Sequence, residues 1–235
     1  MALLQSRLCQ GISVICNSRI TKVERFDNRL KLYYQHTKSG EMKDEMFDRV
    51  ILAVSPRQIS RIYPPTSCVM DKLRSHDVYV TVHQDHDMLP PASAQLIQDQ
   101  KSELIAMQTK YDPAGGRYTV ATHAHPCGVL ITTSPEMPAA GGALGINPKK
   151  VLHTAKFARL LATTVSRESL AALFREDYSP RKSLPWVNGE DGVYICGGWA
   201  WDGFALLEGC MWSGLSNARS MGAVLPFEVQ ERKWH

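Results

Sequence analysis

From residue 11 to residue 56 apolar and polar positions alternate in short runs, and turn-like strings cut the runs apart. "ISVICN" (Ile12 to Asn17) predicts a buried strand, following a short helix that stops at Gly11. In "RITKVERFDNRLKLYYQHTKSGEMKDEMFDRVILAVSP" the breaks at "DN" and "KSGE" predict hairpins, with Asn28 and Gly40 in the turns. The last run, "DRVILAVSP" (Asp48 to Pro56), is continuously apolar and predicts a strand buried on both faces. Ser55-Pro56 ends that run and starts a helix.

Further along, strands are predicted at Val78–His83, Tyr118–His123 and Val129–Thr133, the last two separated by "PCG". "PEMPAAGGALGINP" is rich in proline and glycine and reads as a linker or lid. Residues 151–176 carry apolar positions at helical spacing, which predicts one broken helix or two short ones. "GVYICGG" then predicts a strand that ends in a glycine turn. "LLEGCMWSGLSNARSMG" predicts a helix with Gly222 at its C-cap. No internal repeat is visible.

Composition narrows the class. An apolar fraction of 44% and a charged fraction of 21% describe an ordinary globular chain of 235 residues. The net charge of +4 is spread out, with no basic run for nucleic acid, and no stretch is apolar enough to span a bilayer. The six cysteines form no CxxC pair and four of them sit in apolar or helical surroundings, so buried, reduced thiols and a cytoplasmic location are expected. "MALLQSRLCQG" interrupts its apolar region with Arg7, a poor signal peptide.

A strand, a glycine turn and a helix start together direct main-chain N–H groups and a positive dipole end at an anionic or polar ligand edge. A tight connection without a ligand has the same pattern. Three stretches together resemble the flavin-containing amine oxidoreductase family: "VICNSRITKVERFDNRLKLYY…FDRVILAVSP", "VHQDHDMLPP" and "GVYICGGWAWDGFALLEGCMWSG". The likeness covers roughly two thirds of the chain; the first and last stretches are moderately specific. It implies FAD, with Gly197, Gly198, Gly203, Phe204, Glu208 and Ser213 on the flavin side. Ile20 to Val23 would run beside the adenine, with Ala53, Ser55 and Pro56 bordering the dinucleotide. Trp199 and Trp201 would line the substrate cavity, or pack as ordinary core. Glu208 also has a structural reason for its place, since an acidic first-turn residue complements the helix dipole by ~0.3–1 kcal/mol.

The family's opening GxGxxG turn is absent from this sequence. Charge-assisted bonds to phosphate are worth roughly 1.5–3 kcal/mol each, so FAD binding by this chain alone is expected to be weak or absent. An unpaired edge in the parallel sheet is expected for the same reason, as is a complementary chain supplying the missing unit.

"HQDHD" (His83 to Asp87) and "THAHPC" raise zinc-type ligands, but no HExxH string accompanies them, and no metal is expected. His83, Asp85 and His123 are instead the candidate acid–base residues at a substrate cavity. No GxSxG elbow is present, and neither Cys196 nor Cys210 has a basic sequence neighbour to activate it.

The combined expectation is an α/β (α+β) chain: a partial FAD-binding Rossmann-like domain from residues 1–66 and 186–235, and a mostly antiparallel substrate domain from 67–185. The expected function is an FAD-dependent oxidoreductase acting on a small or lipid-like metabolite. The alternative is a non-redox binding protein, or an acid–base isomerase or cyclase, on the same scaffold.

Overall fold

The computed structural model describes residues 6–89, 103–111, 116–135, 145–174, 186–201 and 207–225. Helices and strands are mixed and the larger sheets are antiparallel, so the α+β class holds. The chain divides into two compact units, one formed by Met1–Leu73 with Ala162–His235 and the other by Arg74–Leu161. Sequence boundaries at 66/67 and 185/186 therefore compare with structural ones at 73/74 and 161/162.

The terminal unit begins with an antiparallel meander: β1 (Ser18–Phe26), β2 (Arg29–His36) and β3 (Met42–Phe47). Phe26 pairs with Arg29 across the two-residue turn Asp27-Asn28, and Gly40 N–H donates to His36 O at 2.8 Å in the next turn. Both hairpins lie where the turn residues put them. β4 (Val50–Leu52) pairs in parallel with β10 (Val193–Ile195). Helix α1 (Pro56–Ile62) follows β4; Gln58 Oε1 accepts from the Ser55 N–H at 3.4 Å and the Ser55 hydroxyl at 3.1 Å, fixing the helix start. A short helix α2 (Ser67–Met70), then α3 (Thr164–Phe174) and α4 (Leu207–Ser220) belong to this unit as well, with short 3-10 turns at Pro64–Thr66 and Glu190–Gly192.

The central unit is one five-stranded antiparallel sheet. Its strands are β5 (Ser75–His83), β6 (Leu104–Tyr111), β7 (Arg117–Ala124), β8 (Leu130–Ser134) and β9 (Val151–Leu160), in the order β6-β7-β8-β5-β9. Register puts Thr81 and His83 of β5 on one face with Thr132 and Ser134 of β8 and Thr122 of β7, all buried. The opposite face carries Ile105, Met107 and Tyr111 of β6 and Phe157 of β9, all exposed.

Four predictions need correction. The cysteines are not buried: Cys9, Cys16, Cys127 and Cys210 are exposed, and Cys68 and Cys196 are partly so. Residues 12–16 are not in a strand and are not buried: Ile12 is 63%, Val14 60% and Ile15 60% exposed. The run 151–160 is strand β9, not helix, because nine of its residues pair with β5; only 164–174 is helical. In β4, Val50 and Leu52 are buried but Ile51 is half-exposed, so the strand is covered on one face. β6 had no counterpart in the sequence reading. Its inward positions (Leu104, Ala106, Gln108) and outward ones (Ile105, Met107) are both largely apolar, which blurs the period-2 signal. The proline- and glycine-rich loop lies mostly outside the described residues.

Candidate functional site

β4 and β10 run in parallel, so their C-terminal ends emerge on the same edge. The loop after β4 holds Ala53, Val54 and Ser55, with Pro56 opening α1; the loop after β10 holds Cys196 to Trp201. One side chain ties them together: the Trp199 indole N–H donates to Val54 O at 3.1 Å, across 145 residues of sequence. Ala53, Ser55, Pro56, Gly197, Gly198 and Trp199 are thereby gathered at one edge.

Gly197 has φ +152°, and a Cβ there would meet Trp199 Nε1 at 2.8 Å, so conformation and crowding both require glycine. Gly209 on α4 meets a different constraint. Its Cα face lies against the Trp201 indole, and a Cβ would stand 2.7 Å from Gly198 O. The two tryptophans therefore pack on the glycines themselves.

Helix α4 buries Gly209, Ser213 and Asn217, one position per turn, two of them polar. Ser213 Oγ accepts from Gly197 N–H at 3.0 Å and lies 2.8 Å from Gly209 O, its principal acceptor. Asn217 Nδ2 donates to Ile195 O at 2.9 Å, while its Oδ1 accepts from Asn188 Nδ2 at 2.7 Å. Asn188 Oδ1 in turn accepts from Ile195 N–H at 2.8 Å. Two asparagines thus occupy the edge of β10 that faces away from β4, standing in for a neighbouring strand. Sequence reasoning missed this pair. The available signal was polar residues at i and i+4 on the buried stripe of a helix, which must find main-chain or side-chain partners. The helix ends as its glycine predicts: Ala223 N–H donates to Ala218 O and Gly222 N–H to Arg219 O, with Gly222 at φ +89°.

The remaining cofactor candidates sit elsewhere. Val23 is buried in the meander opposite Leu32. Glu208 is exposed on the first turn of α4. Gly203 and Phe204 lie outside the described residues. The Cys196 thiol is pushed up in pKa, first by burial and then by Cys210, the opposite of an activated nucleophile.

In the central unit the three acid–base candidates are not brought together. His83 is fully buried; its Nδ1 accepts from Asp85 N–H at 3.2 Å, so Nε2 carries the proton and donates to Thr132 Oγ1 at 2.7 Å. Thr132 and Thr122 hydroxyls continue the chain at 2.9 Å. Burial holds the His83 pKa below the ordinary histidine value, outweighing the attraction of Asp85. Asp85 is also buried, with Oδ1 accepting from Lys150 Nζ at 2.8 Å and Oδ2 from Asn147 N–H at 2.7 Å. Burial raises its pKa, and these two donors together more than reverse that, leaving it below the ordinary carboxylate range. His123 projects from the other face, where Glu103 Oε2 lies 3.2 Å from its Nε2 and Oε1 lies 3.6 Å from His125 Nε2. Among the described residues no group of His, Cys, Asp and Glu is arranged to hold a metal ion.

No family model matches the chain, and no curated protein matches it. Among solved structures it is similar to the rebeccamycin biosynthetic enzyme RebC with reduced flavin, at TM-score 0.47 and 11% identity over 93% of this chain and 40% of that one. It is also similar to RebC soaked with chromopyrrolic acid and bearing 7-carboxy-K252c, at TM-score 0.44 and 12% identity over 87% of this chain and 36% of that one. The chain spans two fifths or less of the length of these proteins. An overlap this loose fixes neither a fold family nor an activity.

Proposed function

We propose that the chain is part of a flavin-dependent oxidoreductase whose dinucleotide lies along the C-terminal edge of β4 and β10. The observation that carries this reading is the convergence of the 53–55 and 196–201 loops, joined by the Trp199–Val54 hydrogen bond. Ligands of open parallel sheets bind outside the carboxyl ends of the strands. The fit is partial. Indoles already cover Gly197 and Gly209, and Ser213 turns inward to Gly197, so these three hold the turn instead of the ligand. Val54 O and the Ser55 main chain are likewise engaged, so Gly198 and the main-chain N–H groups of Ala53 and Val54 are what remains to meet a dinucleotide. A bound flavin would supply the two-electron acceptor; the chain's own residues would orient it and exclude water. The substrate proposed with it is a small or lipid-like metabolite. Full affinity would need a complementary chain contributing the phosphate-binding turn.

The acid–base alternative draws no support from the central sheet, where His83 and His123 lie on opposite faces and both Asp85 oxygens are engaged. FAD titration into the purified chain tests the proposal. Quenching of tryptophan emission, half-complete at roughly 0.1–1 mM and reduced in Trp199→Phe, is expected. A folded chain showing no quenching and no shift of the flavin spectrum across that range overturns it.

A further inference from the structure

The two edges of the parallel pair are finished differently. On β10 the outward main-chain groups of Ile195 are taken by Asn188 and Asn217. On β4, Cys196 N–H donates to Leu52 O at 3.2 Å, so Val50 and Leu52 bond toward β10, and Ile51 directs its N–H and C=O to the other edge. Among the described residues neither group of Ile51 meets a partner. Growth of this sheet is closed on one side and open on the other.

The same unit holds a matching element. Ile12–Cys16 is three-fifths β-branched, has its apolar side chains in solvent, and is held only at its two ends, where the Ser18 hydroxyl also donates to Cys16 O at 3.3 Å. Ile12 N–H donates to Cys9 O at 3.1 Å before it, and Asn17 O accepts from Thr37 N–H at 2.7 Å after it. The main-chain groups of Ser13, Val14 and Ile15 bond to no described residue. Five extended residues span about 17 Å, enough to cover the three of β4. Within one chain the segment does not lie on that edge.

We propose that two copies of the chain exchange these elements, Ile12–Cys16 of each pairing with the open edge of β4 of the other. A two-fold arrangement uses both unpaired elements of both copies. The β-branched composition suits a strand, and the half-exposed Ile51 side chain supplies an apolar neighbour on the free face.

Sedimentation of the full chain up to about 100 µM, combined with amide exchange, tests this. A dimer is expected, with slow exchange at Ile51 and at residues 13–15 only where the dimer is populated. Val14→Pro removes one strand donor from a solvent-exposed segment and should weaken the dimer about tenfold or more without changing the thermal midpoint of the monomer. A chain that stays monomeric, a dimer that Val14→Pro leaves intact, or a dimer in which the Ile51 amide exchanges freely overturns the proposal. A monomer that becomes protected at Ile51 only on adding a different polypeptide counts against self-exchange equally.

Discussion

The terminal and central units both bury polar side chains, but spend them differently. Around β10 the buried polar groups serve the main chain: Asn188 and Asn217 satisfy Ile195, and Ser213 satisfies Gly197. In the central sheet they pair chiefly with one another, through His83, Thr132 and Thr122 and through Asp85 with Lys150, while His83 Nδ1 and Asp85 Oδ2 each also accept from one main-chain N–H. A side chain that completes a strand edge cannot be replaced by an apolar one without orphaning the backbone. A side chain that pairs with another side chain can, if both are replaced together.

That contrast sets an order of effects. Asn217→Leu should be the most damaging, because it strands Ile195 O and the Asn188 amide at once. Roughly 2–5 kcal/mol of unfolding free energy should be lost, read by urea denaturation. Should the loss stay within about 0.5 kcal/mol, the edge role is wrong. Thr132→Val alone should cost about 1–2 kcal/mol by leaving His83 Nε2 without an acceptor. Adding His83→Leu should recover part of that loss, giving a non-additive cycle. Additivity would mean that the central network is no more than a set of neighbours.

The smallest effect is graded by pH. Burial keeps His83 below its ordinary pKa, so the unfolded chain takes up a proton that the folded chain refuses. Stability is therefore present above the unfolded histidine value and falls as pH drops through the window between it and the lower folded value. Asp85 adds a second step at more acid pH. Its folded pKa is depressed, so its contribution holds above the unfolded carboxylate value and disappears as pH falls through the folded one. Thermal midpoints measured from pH 7 downward should show both steps, and His83→Gln should erase the upper one alone.

Local chemistry was the legible part of the sequence. Asp27-Asn28, Gly40, Ser55-Pro56 and Gly222 each carry their instruction in one or two residues, and each turn or cap formed as read. Segments whose state depends on remote partners were not legible. "VLHTAKFARL" has helical spacing, yet β5, some 75 residues earlier, claims it as a strand. "ISVIC" has strand composition, yet has no described partner. At the candidate site the glycines and the βα order could be read directly. Their closure by Trp199, Trp201 and Ser213 could not, because that depends on how β4 and β10 meet.

Because the terminal unit is assembled from residues 1–73 and 162–235, its parts do not leave the ribosome together. β4 waits for Val193–Ile195, about 140 residues behind it, a delay on the order of ten seconds at ordinary translation rates. The central unit is continuous and can close first. A nascent chain paused between residues 162 and 192 would thus pair a finished central sheet with a half-built terminal unit, and that interval is when chaperone capture would matter most.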